Sequence, residues 1–485
     1  MKLEKILEGL ESVEIIGNKD IEISNISNDS RKIEKGSMFI SIRGFERDGN
    51  EYIQGSIEKG ATAIIAEKNI DLNKYKIPDN VTMVLVENAR KALAICSCNF
   101  YGNPSKKFTL IGITGTKGKT TTTYMLKSIL QKQGKKVGLI GTIATCINDE
   151  IINESSRTTP ESIELQQIFA DMLSKGVDTV IMEVSSQGLK LDRVTGCDFD
   201  IGVFTNFSED HISPKEHPDM EDYFNSKLKL FDLCKTAFVN IDDEAGKKVV
   251  ESKKCKMKTY GIKENADLKA VNITITNSYT EFTIGDEKYK AFIPGKFSVY
   301  NCLSAISVAK ELGANYENIK EALQNVTVPG RSELVPNTKE LTIMIDYAHS
   351  PESLENILSA VKAYTKGRLI SLFGCGGDRD TGKRPKMGEI SGNIADYTII
   401  TSDNPRAENP EEIVKQIELG IQNTNGKYTC IVDRTEAIKH AIEIANKDDI
   451  IVLAGKGHEP YQEINGIKYP FDERIIVKEI IEKMM

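Results

Sequence analysis

The sequence predicts an α/β protein of three domains, and three observations lead to this prediction. The chain has 485 residues, which corresponds to about three domains at roughly 100–200 residues each. Two segments that contain Pro and Gly, 101–108 and 326–336, are suited to join domains. Beyond each joint, apolar segments of strand length alternate with helical segments, which is typical of parallel sheets. We therefore expect domains at 1–103, 104–330 and 331–485.

The composition excludes several classes of protein. Hydrophobic residues make up 40% and charged residues 28% of the chain, as in ordinary globular proteins. The net charge of −8 disfavours a nucleic-acid surface. No apolar run reaches the length of about 18 residues that a membrane span needs, and the acidic, amphipathic segment 1–14 is not a signal peptide. Nine scattered cysteines predict reduced thiols and a cytoplasmic protein.

The first two domains show their elements in order. SMFISIRG (37–44) alternates like a strand, and 51–68 is typical of a helix, a glycine and a strand. The second domain opens with the strand FTLIGITG, a helix at 120–134 and the strand KKVGLIGT, which form a βαβ unit. Parallel strands are expected to follow at 177–186 and 199–206. The apolar face of the helix consists of Met125, Leu126, Ile129 and Leu130.

The segment GITGTKGKTTTT (112–123) resembles a phosphate-binding loop but lacks one glycine. The pattern G-x-x-x-x-G-K-[ST] would place its first glycine at Ile113, and Gly115 stands later instead. A strand precedes the segment and a helix follows it, so a chance Gly-Lys-Thr turn is disfavoured. Backbone N–H groups at the helix start would hold phosphates, and Thr120 would bind Mg²⁺. The nucleotide-binding residues are predicted to be Gly115, Thr116, Lys117, Gly118, Lys119, Thr120 and Thr121.

Three further residues are candidates for a metal site. Glu183 ends one apolar strand and His211 follows the next; both suit a metal ion near phosphates, although Mg²⁺ prefers oxygen to a histidine nitrogen. Lys227 falls on the apolar stripe of a predicted helix, whereas Lys229 does not. A lysine in this position commonly extends its ammonium to solvent. The alternative is a neutral lysine that reacts with CO₂ and becomes an anionic, carbamate ligand of the metal.

The third domain contains strands that each run into a polar cluster. The segments are LTIMIDYAHSP, RLISLFGCGGDRD, YTIITSDNPR and DIIVLAGKGHE, and helical segments separate them. Ligands of open parallel sheets bind outside the carboxyl ends of the strands. These clusters combine Asp, Arg, His, Lys and Gly, so they predict a binding site rather than ordinary polar loops.

Together these motifs resemble those of the Mur ligases. The segments that carry the resemblance run in order from about residue 25 to the end of the chain: NDSRKIEKGSMFISIRG, GTKGKTTT, MEVSSQGL, VFTNFSEDH, Lys227, Asn301, GRSE, DYAHSP, DNPR and AGKGHE. The resemblance implies an N-terminal uridine-nucleotide domain, a central P-loop-type ATPase domain with a mostly parallel sheet, and a C-terminal Rossmann-like domain that binds an amino acid.

The resemblance also implies an activity. It is closest to the members of the family that add the third amino acid to UDP-N-acetylmuramoyl-L-alanyl-D-glutamate during peptidoglycan precursor synthesis. In these ATP-dependent amide ligases the D-glutamate carboxylate becomes an acyl phosphate, which an amine then attacks. ATP, two Mg²⁺ ions and a carbamate on Lys227 are therefore the implied cofactors. The implied partners are small-molecule substrates, with no nucleic acid and no membrane span, and the expected state is a monomer.

The resemblance assigns roles to residues at matching positions. The catalytic residues would be Lys119, Glu183, His211 and Lys227. Asn301 would contact the adenine, with Arg331 and Asp346 near the ATP phosphates and ribose. The UDP-muramoyl dipeptide would be held by Ser30, Thr158, Thr159, Ser185 and Arg193.

The loop DNPR indicates which amino acid is added. Asn409 and Pro410 are predicted to begin a helix, which leaves DNPR on the preceding loop. By resemblance, DNPR is the signature of meso-diaminopimelate. A guanidinium at Arg406 can bind the distal carboxylate of diaminopimelate with two hydrogen bonds; with lysine, which lacks that carboxylate, it would be left unpaired. The pocket residues are predicted to be Arg379, Asp403, Asn404, Pro405, Arg406, Gly455 and Glu459, with Asn404 and Glu459 suited to an ammonium group.

Three alternatives remain open at this point. The first is the same reaction with L-lysine. The second is a folylpolyglutamate synthetase, which shares the phosphate loop but would lack the N-terminal uridine-nucleotide domain and DNPR. The third is a P-loop switch that only binds and hydrolyses nucleotide, and such a protein has no need of DYAHSP, DNPR and GKGHE.

Overall fold

The computed structural model describes residues 1–44, 47–154, 157–210, 212–213, 216–252, 254–338 and 341–484. The chain divides into two compact units. One unit consists of Met1–Lys269 and Ser304–Asn315, and the other of Ala270–Leu303 and Tyr316–Met485.

The first unit begins with an N-terminal sheet in the order β1-β5-β4-β3-β2. Its strands β2 to β5 run parallel and β1 is antiparallel to β5. Helix α3 starts where the side chain of Asn88 accepts a hydrogen bond from the amide of Lys91, and its apolar face packs on this sheet. The elements are α1 (Leu3–Ile6), β1 (Glu14–Ile16), β2 (Asn25–Ser27), β3 (Ser37–Ile40), α2 (Ile53–Glu58), β4 (Ala63–Glu67), β5 (Thr82–Val86) and α3 (Ala89–Phe100).

A central sheet follows in the order β14-β13-β12-β11-β6-β10-β7-β8-β9. It is parallel from β14 to β7, and β8 runs antiparallel to both of its neighbours, β7 and β9. The predicted apolar face of α4 is confirmed, because all four of its residues are fully buried. The elements are β6 (Thr109–Thr114), α4 (Lys119–Lys132), β7 (Val137–Ile140), β8 (Ala144–Ile147), β9 (Glu150–Glu154), α5 (Ser162–Ser174), β10 (Thr179–Glu183), α6 (Ser186–Lys190), β11 (Phe199–Phe204), α7 (Met220–Asp232), β12 (Cys234–Asn240), α8 (Glu244–Ser252), β13 (Lys256–Gly261) and β14 (Leu268–Lys269).

The second unit opens with an antiparallel sheet in the order β15-β16-β17. Helix α9 belongs to the second unit up to Leu303 and to the first unit from Ser304. The elements are β15 (Val271–Ile275), β16 (Thr280–Ile284), β17 (Glu287–Ala291), α9 (Lys296–Glu311) and α10 (Tyr316–Asn325).

A C-terminal sheet completes the second unit in the order β18-β19-β23-β20-β21-β22. All its strands run parallel except β18. Helices α11, α12 and α13 cover one face, and α14 and α15 cover the other. These sheets confirm the predicted α/β class. The elements are β18 (Glu333–Leu334), β19 (Thr342–Asp346), α11 (Pro351–Lys362), β20 (Leu369–Phe373), α12 (Lys383–Ile394), β21 (Tyr397–Ile400), α13 (Pro410–Ile421), β22 (Tyr428–Cys430), α14 (Arg434–Ile444), β23 (Ile450–Ala454), β24 (Tyr461–Ile464), β25 (Ile467–Pro470) and α15 (Glu473–Lys483).

Two further expectations from the sequence agree with the structure. All nine cysteines are free thiols. Among the described helices, none is long and apolar enough to cross a membrane.

A buried ion pair supports the carboxyl ends of two strands in the C-terminal sheet. The side chains of Arg434 and Glu473 are 0% and 1% exposed, and Nε of Arg434 lies 2.8 Å from Oε1 of Glu473. The same guanidinium donates to the carbonyls of Ser402 and Ala454, at 3.2 and 2.9 Å. Removing one partner leaves the other charge buried and unpaired.

Replacement of Glu473 by alanine is therefore expected to lower the free energy of unfolding by about 3–5 kcal/mol. The chain has no Trp, so unfolding cannot be followed by tryptophan fluorescence. Urea denaturation followed by circular dichroism is therefore the suitable measurement. Glu482→Ala, on the same helix, is the matched control because its side chain is 56% exposed. A loss below about 1 kcal/mol, the value typical of an exposed pair, would contradict the role of this ion pair.

Candidate functional site

The segment 115–118 joins the end of β6 to the first turn of α4, as the sequence predicts. Gly115 and Gly118 both have positive φ values, +144° and +85°. A Cβ atom at Gly115 would lie 2.0 Å from Oγ1 of Thr205, so only glycine fits there. Gly115 thus forms a tight turn that packs against Thr205, in the chain that follows β11, and the loop does not need the earlier glycine of the longer pattern. The amides at the start of α4 remain where an anion can meet them.

The chain after β11 holds the phosphate loop in shape, and the sequence did not reveal this support. Asn206 accepts a hydrogen bond from the amide of Lys117 at 2.9 Å and donates to its carbonyl at 3.0 Å. Thr205 donates to the same carbonyl at 2.7 Å. The ammonium of Lys117 pairs with Asp210 at 2.9 Å. The one indication in the sequence was the position of Thr205 and Asn206, which come directly after β11, a strand that neighbours β6.

Two lysine ammonium groups meet at one carbonyl of the phosphate loop. Nζ of Lys119 and Nζ of Lys227 each lie 2.9 Å from the oxygen of Gly115. Lys227 is 1% exposed and its Nζ stands 4.3 Å from the centre of the Tyr223 ring. Lys227 therefore does not extend its ammonium to solvent, and its burial agrees with its predicted place on the apolar stripe of α7. Lys229 is exposed.

The surroundings of Lys227 favour its neutral form. Burial, followed by the charge of Lys119, holds the pKa of the Lys227 ammonium well below its usual range. A neutral amine is the form that reacts with CO₂. Lys117 and Lys119 supply positive charge at the loop, which fits a bound polyphosphate.

Glu183 lies at the end of β10 and is 1% exposed. Its carboxylate accepts hydrogen bonds from the amide and the hydroxyl of Thr142, each at 3.0 Å. A Cβ atom at Gly141 would come within 2.4 Å of Oε1 of Glu183, so the segment after β7 fits closely against this carboxylate. Thr142 was not predicted from the sequence.

The other predicted metal ligands are only partly described. His211 lies outside the described residues. The described residues contain no group of three or more His, Cys, Asp or Glu side chains that could hold a metal ion. Thr120 is 5% exposed in the first turn of α4. An oxygen-preferring ion is compatible with Glu183 and Thr120, and a carbamate on Lys227 would add oxygen ligands.

The residues predicted to hold the dipeptide come together beside Glu183. Thr158 and Thr142 have hydroxyls 3.0 Å apart. Thr159 donates to the carbonyl of Glu183 at 3.0 Å and lies 3.1 Å from the hydroxyl of Ser185. Arg193 donates to the carbonyl of Thr159 at 3.1 Å.

Ser30, the predicted contact of the uridine nucleotide, opens a 3₁₀ turn in the N-terminal sheet region. The carboxylate of Asp29 caps this turn by accepting from the amide of Arg31 at 3.0 Å. The neighbouring Arg31 guanidinium lowers the pKa of Asp29 to about 2. The carbonyl of Ser30 accepts a hydrogen bond from Lys59 at 2.8 Å, so two contacts anchor the start of the turn.

In the second unit, the polar clusters gather at the carboxyl ends of β19, β20, β21 and β23, as predicted. Asn404 is central: it donates to Oε2 of Glu459 at 2.8 Å and accepts from Nζ of Lys456 at 3.0 Å. Lys456 is fully buried, with carboxylate oxygens of Asp403 and Glu459 at 3.7 and 3.5 Å. Gly455 has φ +113°, and a Cβ there would lie 2.6 Å from Asp403. The role of Lys456 was missed from the sequence.

Arg406 has a partner that the sequence did not predict. Its φ is +50°, an uncommon value for a residue other than glycine. The hairpin of β24 and β25 holds this conformation, because the amide of Arg406 donates to the carbonyl of Glu463 at 3.0 Å and its carbonyl accepts from Asn465 at 2.8 Å. The side chain donates through Nε to Glu463 at 3.2 Å and through Nη1 to the carbonyl of Gly377 at 2.7 Å. Arg379 is exposed.

A buried arginine joins the loop after β20 to the loop after β21. Arg384 is 0% exposed and donates to both carboxylate oxygens of Glu408, at 2.8 and 2.9 Å. Glu408 also accepts from the amide of Asp378 at 2.5 Å. The loops that carry Arg379 and Arg406 are therefore fixed to one another. In the sequence, Arg384 lies in a short basic run, and no pattern there predicts that it is buried or that it binds Glu408.

Two of the residues predicted to meet ATP in this unit, Arg331 and Asp346, lie at the turn GRSE. Asp346 accepts from the amides of Ser332 and Ala348 at 2.8 and 2.9 Å, and burial raises the pKa of its carboxyl. The Arg331 guanidinium stacks 4.8 Å from the centre of the Tyr347 ring, and its Nε is buried with no hydrogen-bond partner among the described residues. Asn301 is buried on α9, 5% exposed.

The turn GRSE lies directly against the loop GKGHE. A Cβ atom on Gly330 would come within 2.2 Å of the amide nitrogen of His458. Burial, together with the charges of Arg331 and Arg474, lowers the pKa of His458 to about 4. Its Nδ1 is buried without a partner in the described part of the chain.

His458 is expected to make the protein less stable in acid. The pKa of His458 is about 4 in the folded chain and about 6.5 in the unfolded chain. Between these pH values the unfolded chain binds a proton that the folded chain does not. The free energy of unfolding therefore falls as the pH falls from about 6.5 to 4. Replacement by glutamine should reduce the loss of stability between pH 7 and pH 5 by about 1–2 kcal/mol in urea denaturation. His440→Gln, on α14, is the control. Identical pH dependence in wild type and His458→Gln would contradict the prediction.

Three family models match the chain. They are the Mur ligase family, catalytic domain, at residues 22–101; the Mur ligase middle domain, at 113–309; and the Mur ligase, glutamate ligase domain, at 330–457.

Full-length relatives are similar over nearly the whole chain. One, from Caldanaerobacter subterraneus subsp. tengcongensis, is 50% identical over 99% of each chain and is named UDP-N-acetylmuramoyl-L-alanyl-D-glutamate--2,6-diaminopimelate ligase. Another, from Clostridium acetobutylicum, is 48% identical over 100% of each chain and has the same name with the number 1. A solved structure of a ligase of that name is 29% identical, with a TM-score of 0.71 over 100% of this chain and 99% of the other.

Proposed function

The chain belongs to the Mur ligase family, and we propose that it is an ATP-dependent, ADP-forming ligase. In this proposal it joins meso-2,6-diaminopimelate to the D-glutamate of UDP-N-acetylmuramoyl-L-alanyl-D-glutamate, in peptidoglycan precursor synthesis. The observation that carries the proposal is Arg406, which the loop DNPR presents at the carboxyl edge of the C-terminal sheet with its side chain 22% exposed. The names of relatives that are 50% and 48% identical support it.

The residues proposed to contact ATP are those that the resemblance assigns to it. In the proposal, the amides of Gly115 to Thr121 hold the phosphates, and Lys119 leaves the carbonyls of Gly115 and Thr116 to reach the β/γ-phosphates. Asn301 contacts the adenine, and Arg331 and Asp346 lie near the phosphates and ribose.

Two Mg²⁺ ions would be held by Thr120, Glu183, His211 and a carbamate on Lys227. The supporting observation is chemical: Lys227 is a buried amine with a depressed pKa, and its Nζ lies 2.9 Å from the carbonyl oxygen of Gly115 in the phosphate loop. Bound Mg²⁺ would offset the negative charge that accumulates when a carboxylate meets a triphosphate.

The dipeptide would lie along Thr158, Thr159, Ser185 and Arg193, with its uridine nucleotide at Ser30. The oxygen of the D-glutamate side-chain carboxylate attacks the γ-phosphorus, and ADP leaves. The neutral amine of the incoming amino acid then attacks the acyl carbon; the new C–N bond forms as the C–O bond to phosphate breaks, inorganic phosphate leaves, and the nitrogen releases a proton to solvent. Positive charge from Lys117 and Lys119 stabilises both anionic stages.

The incoming amino acid would bind at the loops after β20, β21 and β23. We assign its distal carboxylate to Arg406 and its distal ammonium to Asn404 and Glu459, with Arg379, Asp403, Pro405 and Gly455 shaping the pocket. The domain boundaries 1–103, 104–330 and 331–485, the monomeric state and the cytoplasmic location remain part of this proposal.

Phosphate release in the presence of ATP and Mg²⁺ tests the function. Release should require both the UDP-muramoyl dipeptide and an amino acid, and kcat/KM should be at least about 100-fold higher for meso-diaminopimelate than for L-lysine. Comparable use of L-lysine would overturn the assigned amino acid. Release without any amino acid would instead indicate a nucleotide hydrolase, and a requirement for a folate in place of the dipeptide would indicate the folylpolyglutamate reaction.

A further inference from the structure

Glu463 is placed where it can contact the same end of the substrate as Arg406. It lies on β24, and its backbone joins it to the DNPR loop on two sides: its carbonyl accepts from Arg406 at 3.0 Å and its amide donates to Asn404 at 2.9 Å. Its carboxylate Oε2 lies 3.2 Å from Nε of Arg406. The two side chains are 22% and 26% exposed, so a ligand can reach both charges.

Both charged groups keep unused hydrogen-bonding capacity. A guanidinium has five N–H donors, and Arg406 uses two of them, to Glu463 and to the carbonyl of Gly377, which leaves three. In the described chain those three have no acceptor, and Oε1 of Glu463 has no donor. Glu459 is more engaged, because its Oε2 accepts from Asn404 at 2.8 Å and lies 3.5 Å from Lys456.

The charges of this pair match the distal end of diaminopimelate. Its distal carbon carries a carboxylate and an ammonium on the same atom, so the two groups are close and opposite in sign. Arg406 and Glu463 present a cation and an anion 3.2 Å apart. Charge-assisted hydrogen bonds of this kind are about twice as strong as neutral ones.

We propose that Glu463 is a specificity-determining residue that accepts a hydrogen bond from the distal ammonium of the amino-acid substrate while Arg406 binds the distal carboxylate. This inference rests on the proposed function. It also changes the reason for excluding lysine. Arg406 is not left wholly unpaired when lysine binds, because Glu463 remains beside it. Lysine is disfavoured because it offers Arg406 no carboxylate, whereas Glu463 selects amino acids that carry a distal ammonium.

The variant Glu463→Gln distinguishes two roles of Glu463: binding of the substrate ammonium and positioning of Arg406. The amide oxygen of the new side chain can still accept from Nε of Arg406, but the negative charge is lost. Three substrates distinguish the effects: meso-diaminopimelate; 2-aminopimelate, which lacks the distal ammonium; and L-lysine, which lacks the distal carboxylate. We expect the KM for meso-diaminopimelate to rise about tenfold or more, with a parallel rise for L-lysine. The KM for 2-aminopimelate should stay within about twofold or fall, and kcat should change little.

Two results would overturn the inference. An equal rise in KM for meso-diaminopimelate and 2-aminopimelate would mean that Glu463 only positions Arg406. No rise for meso-diaminopimelate would mean that Glu463 has no part in binding. Glu482→Gln, an exposed change on α15, controls for the loss of a surface charge, and urea denaturation of both variants confirms folding. If wild type fails to use meso-diaminopimelate at all, the proposed function fails instead, so the two failures are distinguishable.

Discussion

Replacement of Lys227 by alanine is expected to lower kcat by about a thousandfold or more, which corresponds to about 4 kcal/mol of transition-state stabilisation. The physical reason is the proposed carbamate. Nζ of Lys227 is buried beside the carbonyl of Gly115, and burial with the charge of Lys119 keeps the pKa of the Lys227 ammonium low. The amine nitrogen forms a bond to the carbon of CO₂ and releases a proton, which turns a neutral side chain into an anionic ligand. Phosphate release with saturating substrates measures the loss.

Chemical rescue distinguishes this role from simple packing. Formate or acetate added to Lys227→Ala can occupy the space of the missing carboxylate, so activity should recover in part. Lys229→Ala is the matched control, since Lys229 is two residues away on α7 and exposed, and it should retain wild-type kcat. Wild-type turnover in Lys227→Ala would eliminate the carbamate. Complete inactivity with no rescue at any carboxylate concentration would leave Lys227 as a packing residue only.

Replacement of Arg406 by alanine is expected to raise the KM for meso-diaminopimelate about 100-fold, while the KM for ATP changes less than about threefold. Losing one side of a charged hydrogen-bonded pair at a binding site costs about 2–5 kcal/mol. Among the described residues, no other guanidinium makes the two contacts of Arg406, with Glu463 and with the carbonyl of Gly377, so none can replace it. Arginine and alanine are both L residues at φ +50°, so the substitution leaves the backbone strain nearly unchanged. Initial rates of phosphate release over a range of amino-acid concentrations provide both KM values.

The control for Arg406 is Lys415→Ala, which removes a positive charge from the exposed face of α13. It should leave both KM values unchanged. An unaltered KM for meso-diaminopimelate in Arg406→Ala would rule out the assigned role. A parallel rise in the KM for ATP would indicate a general disturbance of the C-terminal sheet.

Local patterns in the sequence were sufficient for the main elements and for the placement of the polar clusters at the strand ends. The apolar runs fixed the parallel strands, because fully buried strands are apolar throughout, and the polar clusters after them fell at one edge of each sheet. Asn409 does cap α13, accepting from the amide of Glu411 at 2.9 Å, which confirms that DNPR lies on the preceding loop. The burial of Lys227 followed from its spacing along α7.

The partners of these residues could not be predicted, because they come from distant parts of the chain. Glu463 is 57 residues from Arg406, and Asn206 is 89 residues from Lys117. Helical or strand periodicity carries no information about such contacts. Thr142 and Arg384 have side chains common on protein surfaces, and only the fold shows that one holds Glu183 and the other joins two loops.

The contact between Gly330 and the loop GKGHE has a thermodynamic consequence. No side chain fits between the turn that carries Arg331 and the loop that carries Glu459, so a displacement of one displaces the other. A ligand that immobilises the turn also orders the loop. A second ligand that binds the loop then loses less conformational entropy, so it binds more tightly. Binding free energies are reciprocal. Nucleotide and amino acid should therefore each increase the affinity for the other by the same factor, even though no atom of either ligand needs to touch the other.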